Sequence, residues 1–389
     1  MLFSEKEEQN MKAIGLMSGT SLDGVDASLV NIENEKFTLI KFVTLPYEED
    51  FKKKIMHNLS DETAKLSEIC SLNFELGYQF VAAIDLLLEG TPYQYEDIDF
   101  VASHGQTIWH NPHHQAGLVP STLQIGDASV IANKTGIKTI SNFRTADMVV
   151  GGEGAPLVPM SEYMLFHNDE KNMLLQNIGG ISNLTYLPKG CSIDEVIAFD
   201  CGPGNVMIDY FTSKYFQKPY DDGGKIALSG KVIKAIFDEL KKDDFIMKKP
   251  PKSTGREKYS AKNMEKLAEE LHFNDYCPTD IITTITEFTV YSICYHYQKY
   301  IKNFDEVIVS GGGSHNNYII KRMREILNCK VLRQEDIGFS SDAKEAVAFV
   351  VLGYLTLQGK PGNVCSATGA KKPVILGSIT PSRKSHVKG

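Results

Sequence analysis

The sequence predicts an α/β protein whose two halves repeat one pattern. Three observations predict it. Apolar runs of strand length alternate with stretches of helical spacing, as they do in α/β domains. The pattern that opens the chain restarts near Met173. And 389 residues, at roughly 150 per domain, make two or three domains.

The first half opens with an apolar run from Lys12 to Ser18, a polar turn Gly19-Thr20-Ser21-Leu22-Asp23-Gly24, and a second run from Val25 to Ile32. A third strand over Phe37 to Thr44 completes a meander. Leu66, Ile69, Cys70, Phe80, Val81, Ile84, Leu87 and Leu88 then recur at helical spacing. Strands at Ile98 to Ala102, Thr122 to Ile125 and Ile137 to Ile140 follow, with a short helix from Asp127. The second half begins with Met173 to Ile178, a Gly179-Gly180 turn, Ile181 to Leu187 and a third strand at Val196 to Asp200. Helices are predicted over Val206 to Phe216, Lys231 to Lys241, Asn263 to Leu271, Thr279 to Ile301, Asn317 to Leu327 and Asp342 to Leu357, with a strand at Glu306 to Ser310. The join falls in Gly151 to Lys171.

Charge and composition exclude several classes. With 41 Lys and Arg against 49 Asp and Glu, the net charge of −8 is opposite to the footprint that binds nucleic acid. The 7 cysteines include no Cys-x-x-Cys pair, which suits packed thiols in a reducing compartment. The acidic, polar lead Met1 to Asn10 lacks the apolar core of a secretory signal. Val347 to Leu357, the most apolar stretch, falls short of the roughly 18 residues that span a bilayer. A soluble, cytoplasmic protein without a membrane partner is expected.

The residues that could carry chemistry sit on glycine-bounded turns. Neither a P-loop nor a Gly-x-Gly-x-x-Gly fingerprint is present. Three polar turns instead follow strands directly: Gly19 to Gly24, Gly179 to Asn183, and Ser310-Gly311-Gly312-Gly313-Ser314. Backbone N–H groups in such turns can approach phosphate oxygens because glycine has no Cβ, and Thr20, Ser21 and Ser182 add hydroxyls. Asp23 could hold Mg²⁺ through water against those phosphates, or could simply be a turn residue. Asp200-Cys201-Gly202-Pro203-Gly204-Asn205 joins a strand to a helix whose first N–H groups could bind an anion. Asp147 beside the Gly151 to Pro159 loop could act as a general base or be a solvated surface carboxylate. His104, Gln106 and Thr107, with Trp109 close by, suit a sugar, whereas His110, His113 and His114 crowd around Pro112 with no fourth ligand for zinc.

Together these stretches resemble the anhydro-N-acetylmuramic acid kinase family of the actin, hexokinase and sugar-kinase superfamily. The matching motifs are Gly-Leu-Met-Ser-Gly-Thr-Ser-Leu-Asp-Gly-Val-Asp from Gly15 to Asp26, Ser-His-Gly-Gln-Thr from Ser103, Leu-Gln-Ile-Gly-Asp from Leu123, and Phe-Arg-x-x-Asp from Phe143 to Asp147. Further along they are Gly-Gly-x-Gly-Ala-Pro-Leu-Val-Pro from Gly151, Asn-Ile-Gly-Gly-Ile-Ser-Asn-Leu from Asn177, Gly-Pro-Gly-Asn from Gly202, Lys-Ser-Thr-Gly-Arg-Glu from Lys252 and Ser-Gly-Gly-Gly-Ser from Ser310. The resemblance implies a duplicated ribonuclease-H-like, actin-like ATPase fold with two domains around a central cleft. It places them at 12–165 and 166–381, between a flexible lead at 1–11 and a flexible tail at 382–389.

The resemblance also implies a reaction: ATP and Mg²⁺ drive hydrolysis of the 1,6-anhydro bond of 1,6-anhydro-N-acetylmuramic acid with phosphorylation of O6, in peptidoglycan recycling. Asp147 would be the catalytic base. Gly19, Thr20, Ser21, Asp23, Gly24, Gly179, Gly180, Ser182, Gly311, Gly312 and Gly313 would bind ATP. His104, Gln106, Thr107, Arg144, Gly202, Pro203, Gly204, Asn205 and Glu345 would bind the sugar, and a homodimer is implied. Asn142, Glu153 and Cys201 depart from the commoner family pattern, where Asp, Gln and Thr are expected. Those departures leave two alternatives: a non-catalytic nucleotide-responsive sugar sensor, and a simple amino-sugar kinase without hydrolysis.

Overall fold

The computed structural model describes residues 10–19, 22–114, 117–250, 252, 254, 258–301, 303–338 and 340–382. The chain divides into two compact units, residues 1–165 with 343–389, and residues 166–342.

In the first unit, β1 (Asn10–Ser18), β2 (Gly24–Glu33) and β3 (Lys36–Pro46) form the expected antiparallel meander. Helices α1 (Glu49–His57) and α2 (Leu66–Leu88) lead to β4 (Phe100–Asn111), which returns parallel to β1. After β5 (Ser121–Ile125) and α3 (Ala128–Thr135), β6 (Thr139–Ser141) joins β4 in parallel. Two helices then cover the join, α4 (Thr145–Val149) and α5 (Val158–Phe166).

The second unit repeats this order. β7 (Met173–Ile178), β8 (Ile181–Leu187) and β9 (Ile197–Pro203) are an antiparallel meander. Helices α6 (Val206–Phe216), α7 (Lys225–Ser229), α8 (Lys234–Leu240), α9 (Asp244–Met247), α10 (Ala261–Glu270) and α11 (Pro278–Tyr300) intervene before β10 (Glu306–Ser310), parallel to β7. α12 (Asn317–Ile326) crosses to β11 (Lys330–Arg333), parallel to β10. Setting aside β5, an extra strand on β4, the order third, second, first, fourth, fifth runs through both sheets, as β3-β2-β1-β4-β6 and β9-β8-β7-β10-β11. This is the duplicated ribonuclease-H-like topology that the repeated meanders announce.

The chain then returns to the first unit through α13 (Lys344–Leu357), α14 (Cys365–Thr368) and β12 (Ser378–Thr380), the last pairing with β6. The second unit thus ends at Asp342 and not at residue 381 as expected from sequence. The reason is the apolar surface of α13, buried without a break from Ala346 to Thr356 against the sheet of β1 and β4. Gly15 makes that packing possible: a Cβ there would lie 1.9 Å from the Ala346 carbonyl oxygen. Asn10 and Met11, expected in the flexible lead, pair with Glu33 and Ile32, and Ser382 of the expected tail is buried. Residues 1–9 and 383–389 lie outside the described residues.

Candidate functional site

The β1–β2 turn of the first unit is held from below. Tyr47 donates its hydroxyl to Ser18 Oγ at 2.7 Å, and Ser18 donates to Gln106 Oε1 at 2.6 Å. Leu22 N–H closes the turn onto the Gly19 carbonyl, with Leu22 at φ 57°, a left-handed conformation costly for a branched side chain. Asp23 stands out from this turn, 74% exposed, with Lys52 Nζ at 3.6 Å. Thr20 and Ser21 lie outside the described residues. Gln106 is buried, and its amide donates to the Thr107 carbonyl, so its polar atoms anchor the turn instead of facing a sugar.

In the second unit three loops meet. Gly204 N–H and Val206 N–H donate to the Gly180 carbonyl, and Asn205 N–H donates to the Gly179 carbonyl at 2.8 Å. A Cβ on Gly204 would lie 2.3 Å from Gly179 O, which is why this approach demands glycine. Asn205 Nδ2 also reaches the Ile178 carbonyl, and Gly312 and Gly313 sit beside the same Asn205 side chain. The turn of β7 and β8, the loop before α6 and the Gly311–Gly313 loop are thus one cluster. Two expectations change here. The N–H groups of Gly204, Asn205 and Val206, up to the first residue of α6, are committed to the Gly179 and Gly180 carbonyls and are not free for an anion. Ser182 is fully buried and donates to the Gly202 carbonyl at 3.2 Å, so its hydroxyl ties β8 to β9. Gly202 and Pro203 are likewise buried strand residues.

Asp200 lies three residues before this loop's Pro203 and keeps part of its surface open. Burial pushes its carboxyl above the usual carboxylate range, opposed by the Thr254 N–H that donates to Oδ2 at 2.8 Å and by the charge of Lys252. Lys252 donates to the Phe245 carbonyl at 2.7 Å and reaches His296 Nε2 at 2.6 Å. Burial brings Lys252 down to about 8 and His296 down to about 4.

In the first unit, Asp147 on α4 is completely buried. Its Oδ1 accepts from Asn363 Nδ2 and from the Thr368 hydroxyl, each at 2.8 Å, and its Oδ2 accepts from Gly154 N–H at 2.8 Å. A carboxylate with no open surface and three internal donors holds the Gly151–Pro159 loop against the C-terminal segment. Asn363 and Thr368 carry no local signal in the sequence, since each lies more than 200 residues from its partner.

Arg144 is half-buried one turn before Asp147. Its Nε–H donates to His104 Nε2 at 3.0 Å, and Nη1 donates to the Gly154 carbonyl at 2.7 Å. Since His104 Nε2 accepts, its Nδ1 carries the proton and donates to the Gly105 carbonyl. Burial, reinforced by the Arg144 charge, lowers His104 to about 3, so the ring is neutral. Both nitrogens being used, His104 supports Arg144 instead of touching a ligand. Glu345, at the start of α13, is open to solvent yet crowded by protein, and burial pushes its carboxyl up despite Lys344 and Arg144, with Asp26 adding repulsion. The neighbouring Lys344 is fixed by a 2.5 Å ion pair to buried Glu162.

The departures from the family pattern each fit their local surroundings. Asn142 takes φ 61°, where Asn and Asp are both tolerated, and its Oδ1 accepts from the Thr145 hydroxyl. Glu153 is exposed, 3.8 Å from His113 Nε2. Cys201 is buried against Gln176 Oε1, and burial raises its thiol far above the usual range. Among the described residues no helix is long and apolar enough to cross a membrane, and no group of three or more His, Cys, Asp and Glu could by itself hold a metal ion.

A family model described as anhydro-N-acetylmuramic acid kinase matches residues 11–382. A protein of that name from Bacillus thuringiensis subsp. konkukian (strain 97-27) is 48% identical over 380 residues, covering 95% of this chain and 99% of its own length. Another, from Bacillus cereus (strain 03BB102), is 47% identical over 380 residues, with 95% and 99% covered. Among solved structures, the activator of 2-hydroxyisocaproyl-CoA dehydratase from Clostridium difficile with bound ADPNP aligns over 88% of this chain and 93% of its own at 11% identity and a TM-score of 0.44, too distant to bear on any residue. With near-half identity sustained along almost the full length, the chain belongs to the anhydro-N-acetylmuramic acid kinase family.

Proposed function

We propose that this chain transfers the γ-phosphoryl group of ATP to O6 of 1,6-anhydro-N-acetylmuramic acid while water opens the anhydro bridge. The products are N-acetylmuramic acid 6-phosphate and ADP, which places the reaction in cytoplasmic recycling of cell-wall fragments. One observation carries the reading: in a member of this family, the β1–β2 and β7–β8 turns occupy the same position in the five-strand order that the two sheets share, each a glycine turn at the end of the first strand.

In the reaction the water oxygen bonds to C1 as the C1–O6 bond breaks, and O6 attacks the γ-phosphorus as its bond to ADP breaks. The water's proton needs an acceptor that is reachable, and a raised pKa makes a carboxylate a stronger base. Asp200 keeps part of its surface open and burial raises its carboxyl, whereas Asp147 is enclosed by three donors. We therefore assign proton acceptance to Asp200, and to Asp147 the task of fixing the loop that Arg144 also holds. The Gly179–Gly180 turn supplies unhindered backbone N–H groups for phosphate. Asp23 fits a Mg²⁺ ion held through water, being an exposed carboxylate on the other phosphate turn; the ion, when bound, neutralises charge on the β- and γ-phosphates.

Incubation with ATP, Mg²⁺ and the anhydro sugar in ¹⁸O-labelled water tests the reading. Label at C1 of a phosphorylated product is expected; phosphorylation of open amino sugars alone would favour a simple kinase, and ATP binding without turnover a sensor. The resemblance further implies a homodimer, which sedimentation analysis checks.

A further inference from the structure

We propose that Arg144 is the specificity residue that receives the carboxylate of an acidic sugar, and that His104 is the positioning residue that holds its guanidinium in place. The inference rests on the anhydro-sugar reading above and names which part of that sugar is recognised.

A guanidinium carries five N–H groups in a planar fork. In Arg144, Nε–H is taken by His104 and one Nη1–H by the Gly154 carbonyl. That leaves three N–H groups, one on Nη1 and two on Nη2, with no partner among the described residues, on a side chain that keeps part of its surface open. Two fixed bonds at different points of the fork allow no rotation of its plane. What remains presents adjacent donors, the geometry that matches a carboxylate bidentately.

The surroundings favour an incoming anion. Burial works against the Arg144 charge, and the charge that offsets it is that of Glu345, with which it forms neither hydrogen bond nor close ion pair among the described residues. Glu345 is itself held toward its neutral form by burial and by Asp26. An acidic substituent on the sugar can therefore supply the anion that Arg144 lacks with less repulsion than an ordinary glutamate would impose. His104 is suited to its part because it stays neutral: a protonated imidazole would present a second donor to Nε–H and push the guanidinium away.

The test compares 1,6-anhydro-N-acetylmuramic acid with 1,6-anhydro-N-acetylglucosamine, which has the same ring and bridge but no carboxylate. Calorimetric binding and kcat/KM are measured for the wild-type protein, Arg144→Gln, His104→Phe and His104→Gln. The wild-type protein is expected to prefer the acid. Arg144→Gln should remove about 10- to 100-fold of affinity for the acid alone, the scale of a charge-assisted hydrogen bond. His104→Phe should lose part of the preference, and His104→Gln, whose amide oxygen can accept from Nε–H, should restore it. Equal losses on both sugars, or a wild-type protein that binds the two alike, overturn the proposal. Preferential binding of the acid without turnover supports it and overturns the reaction instead.

Discussion

Arg144 and Asp147 meet at opposite ends of one residue: the Gly154 carbonyl accepts from Arg144 Nη1 at 2.7 Å, while the Gly154 N–H donates to Asp147 Oδ2 at 2.8 Å. A cation and an anion three positions apart in sequence thus grip the same loop from both sides. Gly152 is part of the grip, since a Cβ there would lie 2.1 Å from Asp147 Oδ2. The arrangement separates two kinds of carboxylate, one that shapes the fold and others that face outward.

Asp147→Asn and Asp200→Asn should therefore fail differently. An amide at position 147 puts N–H groups where Oδ1 or Oδ2 now accepts, leaving at least one buried donor unsatisfied at a cost of about 1–3 kcal/mol. Its melting temperature should fall by several degrees. At position 200, a half-open site with one backbone donor, the fold should tolerate the amide while kcat falls by about 10²–10⁴-fold. Thermal melts beside steady-state kinetics decide it; full activity in Asp200→Asn would return the base to another residue.

The pH profile follows from the same assignment. A general base works only when deprotonated, so activity is lost as pH falls through its pKa in the complex. Burial raises Asp200, so the acidic limb of kcat should lie above the ordinary aspartate value of about 3.9. Removing the nearby positive charge with Lys252→Met should move that limb higher still, because Lys252 holds the Asp200 carboxyl down. A limb that stays in place, with the protein folded, would show that Asp200 is not the group titrating.

Two glycines of the second unit should respond in opposite ways. Around Gly180 the nearest atom to an added Cβ is Val206 Cβ at 3.9 Å, so Gly180→Val fits the fold and should act on ligand, weakening ATP binding while leaving sugar binding intact. Gly204→Ala meets the Gly179 carbonyl at 2.3 Å and should destabilise the whole unit. Calorimetry of each ligand with a melting curve for each variant checks both; equal loss of ATP and sugar by Gly180→Val would mean that the turn does not contact phosphate.

The strand order was legible because each meander is written locally, in apolar runs broken by glycine turns. Helix α6 is read to the residue, as its periodicity stops where Gln217 takes a left-handed conformation. Helix α13 is also visible as a helix, but its destination is not: nothing local says that an apolar helix after residue 342 packs on β1 and not on the sheet just before it. β4 continues past Ala102 to Asn111 because β5 pairs with it from Gln106 onward, a tertiary gain that hides His104 and Gln106 inside a strand. The glycine turns were found because backbone approach leaves a mark in composition. The choice of carboxylate was not, since burial of Asp147 depends on Asn363 and Thr368 arriving from the far end of the chain.

Glu153→Gln should leave the acidic limb of kcat unchanged. A glutamate coupled to Asp147 would shift that limb, but the Glu153 side chain faces solvent beside His113 while its backbone N–H donates to the Thr368 carbonyl. Superimposable profiles are expected; a shifted limb would mean that the loop turns inward during turnover.

Asp209→Asn should stabilise the protein near neutral pH and not in acid. Asp209 lies in the first turn of α6, and burial with repulsion from Asp221 raises its carboxyl to about 6. Asp221 is committed elsewhere, accepting from Ile226 and Ala227 N–H, so it cannot turn away. In the unfolded chain an aspartate titrates near about 3.9. Between the two values the native state keeps the proton that the unfolded state has released, so the stability linked to this group is fully present below the unfolded value and is lost as pH rises through about 6. An asparagine resembles the protonated form and titrates nowhere. The melting temperatures of the two proteins should coincide at the acidic end of that window and separate across it, with the variant higher above about pH 6; curves that run parallel throughout would show that Asp209 carries no such shift.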